Sequence, residues 1–250
     1  MANRIYNLKR QEHDERDLKF AHAFNVHDGV TLPAKLDLRL HCPPVWDQKD
    51  LGSCSSHAGC AVRAMLATNN SLELSRLFLY YQERVLENCV NEDSGTTIKD
   101  ICQALQKYGV CEEKDWPYDV SKFTQVPPDE AVKNALKYVI KSYTMIEGVL
   151  QAKQYMAFKQ QPILIGMEVW ESFESDEVAK TGMMPMPKSN EQNLGGHAVC
   201  LVGWDSNLFR NKGGFIVRNS WGAEFGDKGY FYMPFDYITQ GHAFDFWTIA

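Results

Sequence analysis

Three side chains suited to acyl chemistry follow one another along this 250-residue chain. Cys54 stands directly after Gly52-Ser53, at the head of a segment rich in Ala, Cys and Met. His197 comes 143 residues later, behind Gly195-Gly196 and ahead of an apolar run. Asn219 follows after another 22, inside Arg218-Asn219-Ser220-Trp221-Gly222. A cysteine in the first turn of a helix gains thiolate character from unpaired backbone N–H groups and the helix dipole. An imidazole takes the thiol proton and returns it to a leaving group. A carboxamide oxygen accepts from the imidazole N–H and orients the ring without taking its proton. Gln48, six residues before Cys54, offers an amide donor for a developing oxyanion, and backbone N–H groups at the Cys54 turn offer another. The indole of Trp221 is suited to shielding the imidazole–carboxamide contact from water.

Taken singly, each residue has a plain reading. A helical cysteine is commonly a small core hydrophobe. A histidine after glycines satisfies a loop, and an asparagine before Ser-Trp-Gly makes a turn. The order thiol, imidazole, carboxamide on suitable elements points instead to a nucleophilic constellation.

The elements that must position them are legible in outline. Ala58, Val62, Met65 and Leu66 recur at helical spacing, which predicts a buried helix from Cys54 to about Thr68, capped by Ser53. Further helices are expected over 72–86, 98–108 (stopped by Gly109), 128–139 and 151–159. Strands are expected over 162–170, 197–204, 214–218 and 230–233, separated by glycine and polar loops. Helices in the first half and strands in the second imply an α+β fold of two lobes with a cleft between them.

Composition narrows the classes. Apolar residues are 44% and charged residues 23%, as in a soluble globular chain. The net charge of −6 disfavours a general nucleic-acid binder. No apolar run approaches a membrane span of roughly 18 residues. The amino terminus is polar and basic, without a secretory core, so a cytoplasmic location is expected. The seven cysteines include no CxxC pair, and free thiols are the expected state. Residues 1–31 are rich in charge, with an apolar island at Phe20–Phe24. They read as a separable amino-terminal arm, a possible short inhibitory segment lying in or near the cleft.

Four blocks give the chain a resemblance to the papain-like cysteine peptidases. They are Leu32–Arg39, Gln48–Cys54, Gly196–Trp204 and Arg218–Tyr230 (RNSWGAEFGDKGY). Trp116-Pro117-Tyr118 is a weaker fifth. The resemblance runs from residue 32 to 250, with a helical lobe over roughly 40–140 and a β-barrel-like lobe over 141–250. It implies Cys54 as nucleophile, His197 as base and acid, Asn219 as orienting group, Trp221 as cover, and Gln48 in the oxyanion hole. It implies a thiol pKa lowered to roughly 3–4 and a thioester acyl-enzyme on a peptide or protein substrate, without cofactor or metal. Gly95 falls at the subsite wall. Gly166, Gly196 and Ala198 fall around the pocket for the second residue before the scissile bond, which their size predicts to be roomy. No cleft-blocking insertion is evident, so endopeptidase action is expected.

Departures from the family's secreted members are visible. Ser55 and His57 stand where an aromatic and an apolar residue are usual. Leu51 replaces a disulfide cysteine, and no cysteine follows Trp116-Pro117-Tyr118 to close a second bridge. These features resemble compact bacterial or viral members. They also leave open a catalytically silent peptide-binding module and a transpeptidase using the same nucleophile. A metal site from Cys54, His57 and Cys60 fails on geometry, since i and i+6 lie roughly 240° apart on a helix.

Overall fold

The computed structural model describes residues 4–12, 14–23, 31–67 and 71–250. His13, Thr68 and residues 24–30, including the Phe24 end of the apolar island, lie outside the described residues. A short helix α1 (Phe20–Ala23) and strand β1 (Lys35–Asp37) precede the main elements. Helices α2 (Cys54–Leu66), α3 (Arg76–Leu86), α4 (Ile98–Lys107) and α5 (Asp129–Ala135) come next. Then follow β2 (Tyr143–Ile146), α6 (Gly148–Lys159), β3 (Ile163–Trp170), α7 (Asp176–Thr181), β4 (Asn193–Asp205), β5 (Gly214–Arg218), β6 (Tyr230–Pro234) and β7 (Ala243–Ile249). No described helix is long and apolar enough to cross a membrane.

The strands form one antiparallel sheet in the order β2-β7-β3-β4-β5-β6, with β1 also pairing to β4. The sheet is not closed into a barrel. Side chains alternate across it, and both faces are buried. Ala198, Cys200 and Val202 of β4 join the core built with α2 and α4. Val199 and Leu201 join the opposite core with Ile163, Ile165 and Met167 of β3. That double burial explains why the strands read as continuous apolar runs.

Helix ends follow from capping. Ser75 accepts from the Phe78 N–H at 3.1 Å, so α3 starts at Arg76 rather than at residue 72. Thr97 and Asp100 form a reciprocal capping box on α4, and Gly109 (φ 68°) turns the chain away after it. Ser53 precedes α2 without a side-chain capping bond. Its hydroxyl instead meets the Tyr118 hydroxyl at 2.6 Å. Strand β7 (AFDFWTI) is rich in strand formers but was not among the expected strands; within it Asp245 sits at φ 52°, and the β3–β7 register shifts between Leu164 and Gly166.

The close approach of α2 to α3 and α4 requires Gly59. A Cβ there would lie 2.5 Å from Ile101 Cγ2 and 2.9 Å from Leu79 Cδ2. Gly59→Val is expected to destabilise the fold by about 1–3 kcal/mol through overpacking, read by chemical denaturation. Wild-type stability in that variant would refute this account of the contact.

Candidate active site

Helix α2 points its first residue at the beginning of the buried part of β4. Cys54 is 1% exposed, and its Sγ accepts the Ala198 backbone N–H at 3.4 Å. The sulfur is thereby held beside the residue that follows His197. His197 is fully buried, and its Nε2 lies 2.8 Å from Asn219 Oδ1. The Ser220 backbone N–H donates to the same Oδ1 at 2.8 Å. A backbone N–H only donates, which fixes the carboxamide orientation. Nε2 therefore carries the ring proton and Nδ1 is bare, without a hydrogen-bond partner. Trp221 stacks on the imidazole with centroids 5.1 Å apart and planes at 29°.

Gln48 reaches this group through a stitch between two distant segments. Arg218 donates to the carbonyls of Pro43 at 2.7 Å and Pro44 at 2.5 Å. Gln48 N–H donates to Ser220 O at 2.9 Å, and Gly222 N–H to Trp46 O at 3.1 Å. The Gln48 side chain accepts from Ser220 Oγ at 2.6 Å and donates one amide hydrogen to Leu51 O at 3.0 Å. Its second amide hydrogen remains for another acceptor. Tyr118 hydroxyl donates to Gln48 O at 2.8 Å, which makes Ser53 the donor in the Ser53–Tyr118 contact.

The amino-terminal segment crosses the cleft over these groups. Leu8 N–H donates to Gly196 O at 3.2 Å, and Lys9 N–H to Thr96 O at 2.9 Å, so it bonds to both walls. The Arg4 guanidinium lies 3.9 Å from the Trp221 ring centroid. Tyr6 packs on His197 and Trp221 at 6.2 and 6.1 Å, and its hydroxyl donates to Glu174. Asn7 donates to Asp93 O at 2.9 Å and lies so close that a Cβ on Gly95 would meet Asn7 O at 2.0 Å. Gly196 is equally occupied, with Leu8 O at 2.2 Å from a built Cβ. Further along, Gln11 N–H donates to Asp245 Oδ2 at 2.8 Å.

Burial reverses the electrostatics that the resemblance implied. Burial pushes the Cys54 thiol up to about 12, against the smaller help of the Ala198 N–H. Burial pushes the His197 imidazole down to about 4, although Asn219 favours its charged form. With the segment in place the couple is a neutral thiol and a neutral imidazole. Desolvation outweighs the helix terminus because both charged forms lose their water.

The structure brings Cys54, His197, Asn219, Gln48 and Trp221 together, with Gly95, Gly196 and Ala198 beside them. Gly166 pairs with Ala198 across β3 and β4, but its open side is filled. A Cβ there would meet the Phe244 ring at 2.3 Å, so glycine at 166 leaves no roomy pocket at that wall. Phe244 was hidden from sequence reasoning because its pairing with Gly166 joins strands far apart along the chain. Ser55 has a local explanation as well. Its hydroxyl donates to Glu83 Oε2 at 2.5 Å, and burial raises the Glu83 carboxyl well above its usual range. Glu83 lies four residues after Leu79 on the buried face of α3, the one signal that pointed inward. Tyr6 and Leu8 carried no signal, and Ser220 was read only as part of its motif block.

Similarity to known proteins agrees with this geometry. Residues 32–241 match the family model described as papain family cysteine protease. The chain belongs to the papain family. A peptidase C1-like protein of Acanthamoeba polyphaga mimivirus, itself uncharacterised, is 41% identical over 90% of this chain and 73% of its own length. Peptidase 1 of the mite Psoroptes ovis is 28% identical over 85% of the chain, which spans only 64% of that longer protein. Xylellain, a cysteine protease from Xylella fastidiosa, superposes with a TM-score of 0.86 at 33% identity, covering 99% of this chain and 96% of its own. The fold is papain-like and α+β, and the papain-family chain is a cysteine protease.

In the full chain at pH 7–9, Cys54 is expected to alkylate slowly with iodoacetamide, its rate still rising with pH, because a thiol pushed up to about 12 is almost wholly protonated there. Mass mapping separates it from the half-buried Cys42 and Cys89. A rate plateau near neutrality in the full chain would contradict the neutral couple.

Proposed function

We propose that the protein is a cysteine-type endopeptidase held inactive by its own amino-terminal arm, residues 1–31. Cys54 attacks the peptide carbonyl, and His197 accepts the thiol proton at Nδ1. The carbonyl oxygen becomes an oxyanion that receives the Cys54 backbone N–H and the second amide hydrogen of Gln48. His197 then returns the proton to the departing amine as the thioester forms. Water, deprotonated by the same imidazole, cleaves the thioester and releases the new carboxylic acid. Asn219 keeps Nε2–H oriented throughout, beneath Trp221.

The observation that carries this reading is the pair of contacts around Oδ1 of Asn219. They leave His197 Nδ1 bare, while the N–H of the following residue, Ala198, holds the Cys54 sulfur. The arm uses the Gly196 carbonyl and the Gly95 face where an extended substrate needs room. Substrate and arm therefore compete, and the arm's removal lets water back to the couple so that the thiolate–imidazolium pair forms. The substrate is a peptide or protein. We read residues 32–250 as the peptidase domain, its helical lobe over roughly 40–140 and its β lobe over 141–250. The location we propose is the cytoplasm.

Peptide hydrolysis by the wild type and by Cys54→Ala, each with and without residues 1–31, tests the reading. Removal of the arm is expected to raise kcat/KM at least about tenfold, and Cys54→Ala to abolish turnover in both forms. Turnover that survives Cys54→Ala would sink the proposal. Unchanged turnover in a folded truncated chain would remove only the inhibitory role.

A further inference from the structure

The one side chain in α2 that departs most in chemistry from an apolar helix is His57, and the proposed mechanism does not use it. It lies one turn after Cys54 and is 2% exposed. Its Nδ1 is 2.8 Å from the Ser53 carbonyl, so Nδ1 carries the proton. Burial keeps the ring neutral by pushing its pKa down to about 3. In a neutral imidazole with Nδ1–H, Nε2 is an acceptor, yet it has no partner.

Two other unpartnered buried nitrogens lie on residues close by. Asn219 Nδ2 and Trp46 Nε1 both lack an acceptor. All three residues line a single small cavity between α2 and the Asn219 turn, together with Ala198, Arg218 and Ser220. About 10 Å³ of it is open to the centre of a water molecule, which is room for one. The guanidinium groups of Arg76, at 4.4 Å, and Arg218, at 5.0 Å, both lie over the Trp46 ring. The set is complementary in kind, since the amide and indole nitrogens donate and the imidazole Nε2 accepts. Buried polar groups of this kind are rarely left unpaired.

We propose that His57 is a positioning residue that holds Asn219 through one buried water. The water accepts from Asn219 Nδ2–H and Trp46 Nε1–H and donates one hydrogen to His57 Nε2. The carboxamide is then anchored at both ends, with its nitrogen on the water and its oxygen on His197 and the Ser220 N–H. An apolar residue at 57 removes the acceptor and leaves the amide hydrogens without an anchor. The carboxamide then rocks about its last torsion, and the His197 proton loses its fixed acceptor. This inference rests on the reading that Asn219 orients His197.

The experiment uses the full chain and reads solvent exchange of the His197 Nε2 proton by ¹⁵N-edited NMR. His57→Phe is expected to speed exchange about tenfold. His57→Gln restores an acceptor near Nε2 and is expected to return the rate to within about threefold of wild type. His57→Asn preserves only the hydrogen bond to Ser53 and is expected to stay fast. Rescue by His57→Asn rather than His57→Gln, or unchanged exchange in His57→Phe, overturns the proposal. Asn219→Ala separates it from its foundation. If that variant leaves exchange unchanged, the orienting role of Asn219 fails, whereas fast exchange there with a silent His57→Phe defeats the His57 role alone. If His57→Phe does not fold, a wild-type crystal structure that resolves waters decides. A water within hydrogen-bond distance of Asn219 Nδ2 and His57 Nε2 supports the relay, and none there overturns it.

Discussion

The head of α2 pressed against β4 is the constraint from which the rest of the site follows. The Ala198 N–H would ordinarily serve a strand partner, but here it meets the Cys54 sulfur. A strand N–H points in the plane of its sheet, so the helix terminus meets β4 where pairing with β5 has not yet begun, and the sulfur is fixed relative to His197 by one peptide unit. The contact holds because α2 is buried along nearly its whole length and Gly59 lets α3 and α4 close upon it. Burial on that scale leaves the helix little freedom to slide.

The same burial makes the site sensitive to water. A thiolate–imidazolium pair needs solvent or fixed dipoles to replace its hydration, and the amino-terminal segment removes the solvent. Tyr6 and Leu8 bring apolar surface over the couple, while Arg4 adds a cation above Trp221. Burial lies behind the neutral state of both groups.

Polar residues in α2 that look misplaced in a helix this buried have partners on neighbouring elements. Ser55 meets Glu83, whose carboxyl burial drives toward the protonated form. His57 meets Ser53 O and turns its edge to Tyr118 at 4.9 Å. These contacts tie the residues around Cys54 to α3 and to the loop after α4, in a chain whose seven cysteines are all free. The hydrogen-bonded links from Arg218 to Pro43 and Pro44 perform a similar task between the two halves of the molecule.

Much was legible in the residues alone. The order Cys54, His197, Asn219 and the helical and strand periods around them announced a nucleophilic site on an α+β fold, because local pattern and side-chain chemistry are properties of the chain itself. The tertiary structure decided what depends on neighbours distant in sequence. It placed Phe244 over Gly166, gave Gln48 its Ser220 anchor and laid residues 4–11 across the cleft. It also set the protonation of the couple, since desolvation is determined by everything packed around a group, and no stretch of sequence carries that sum.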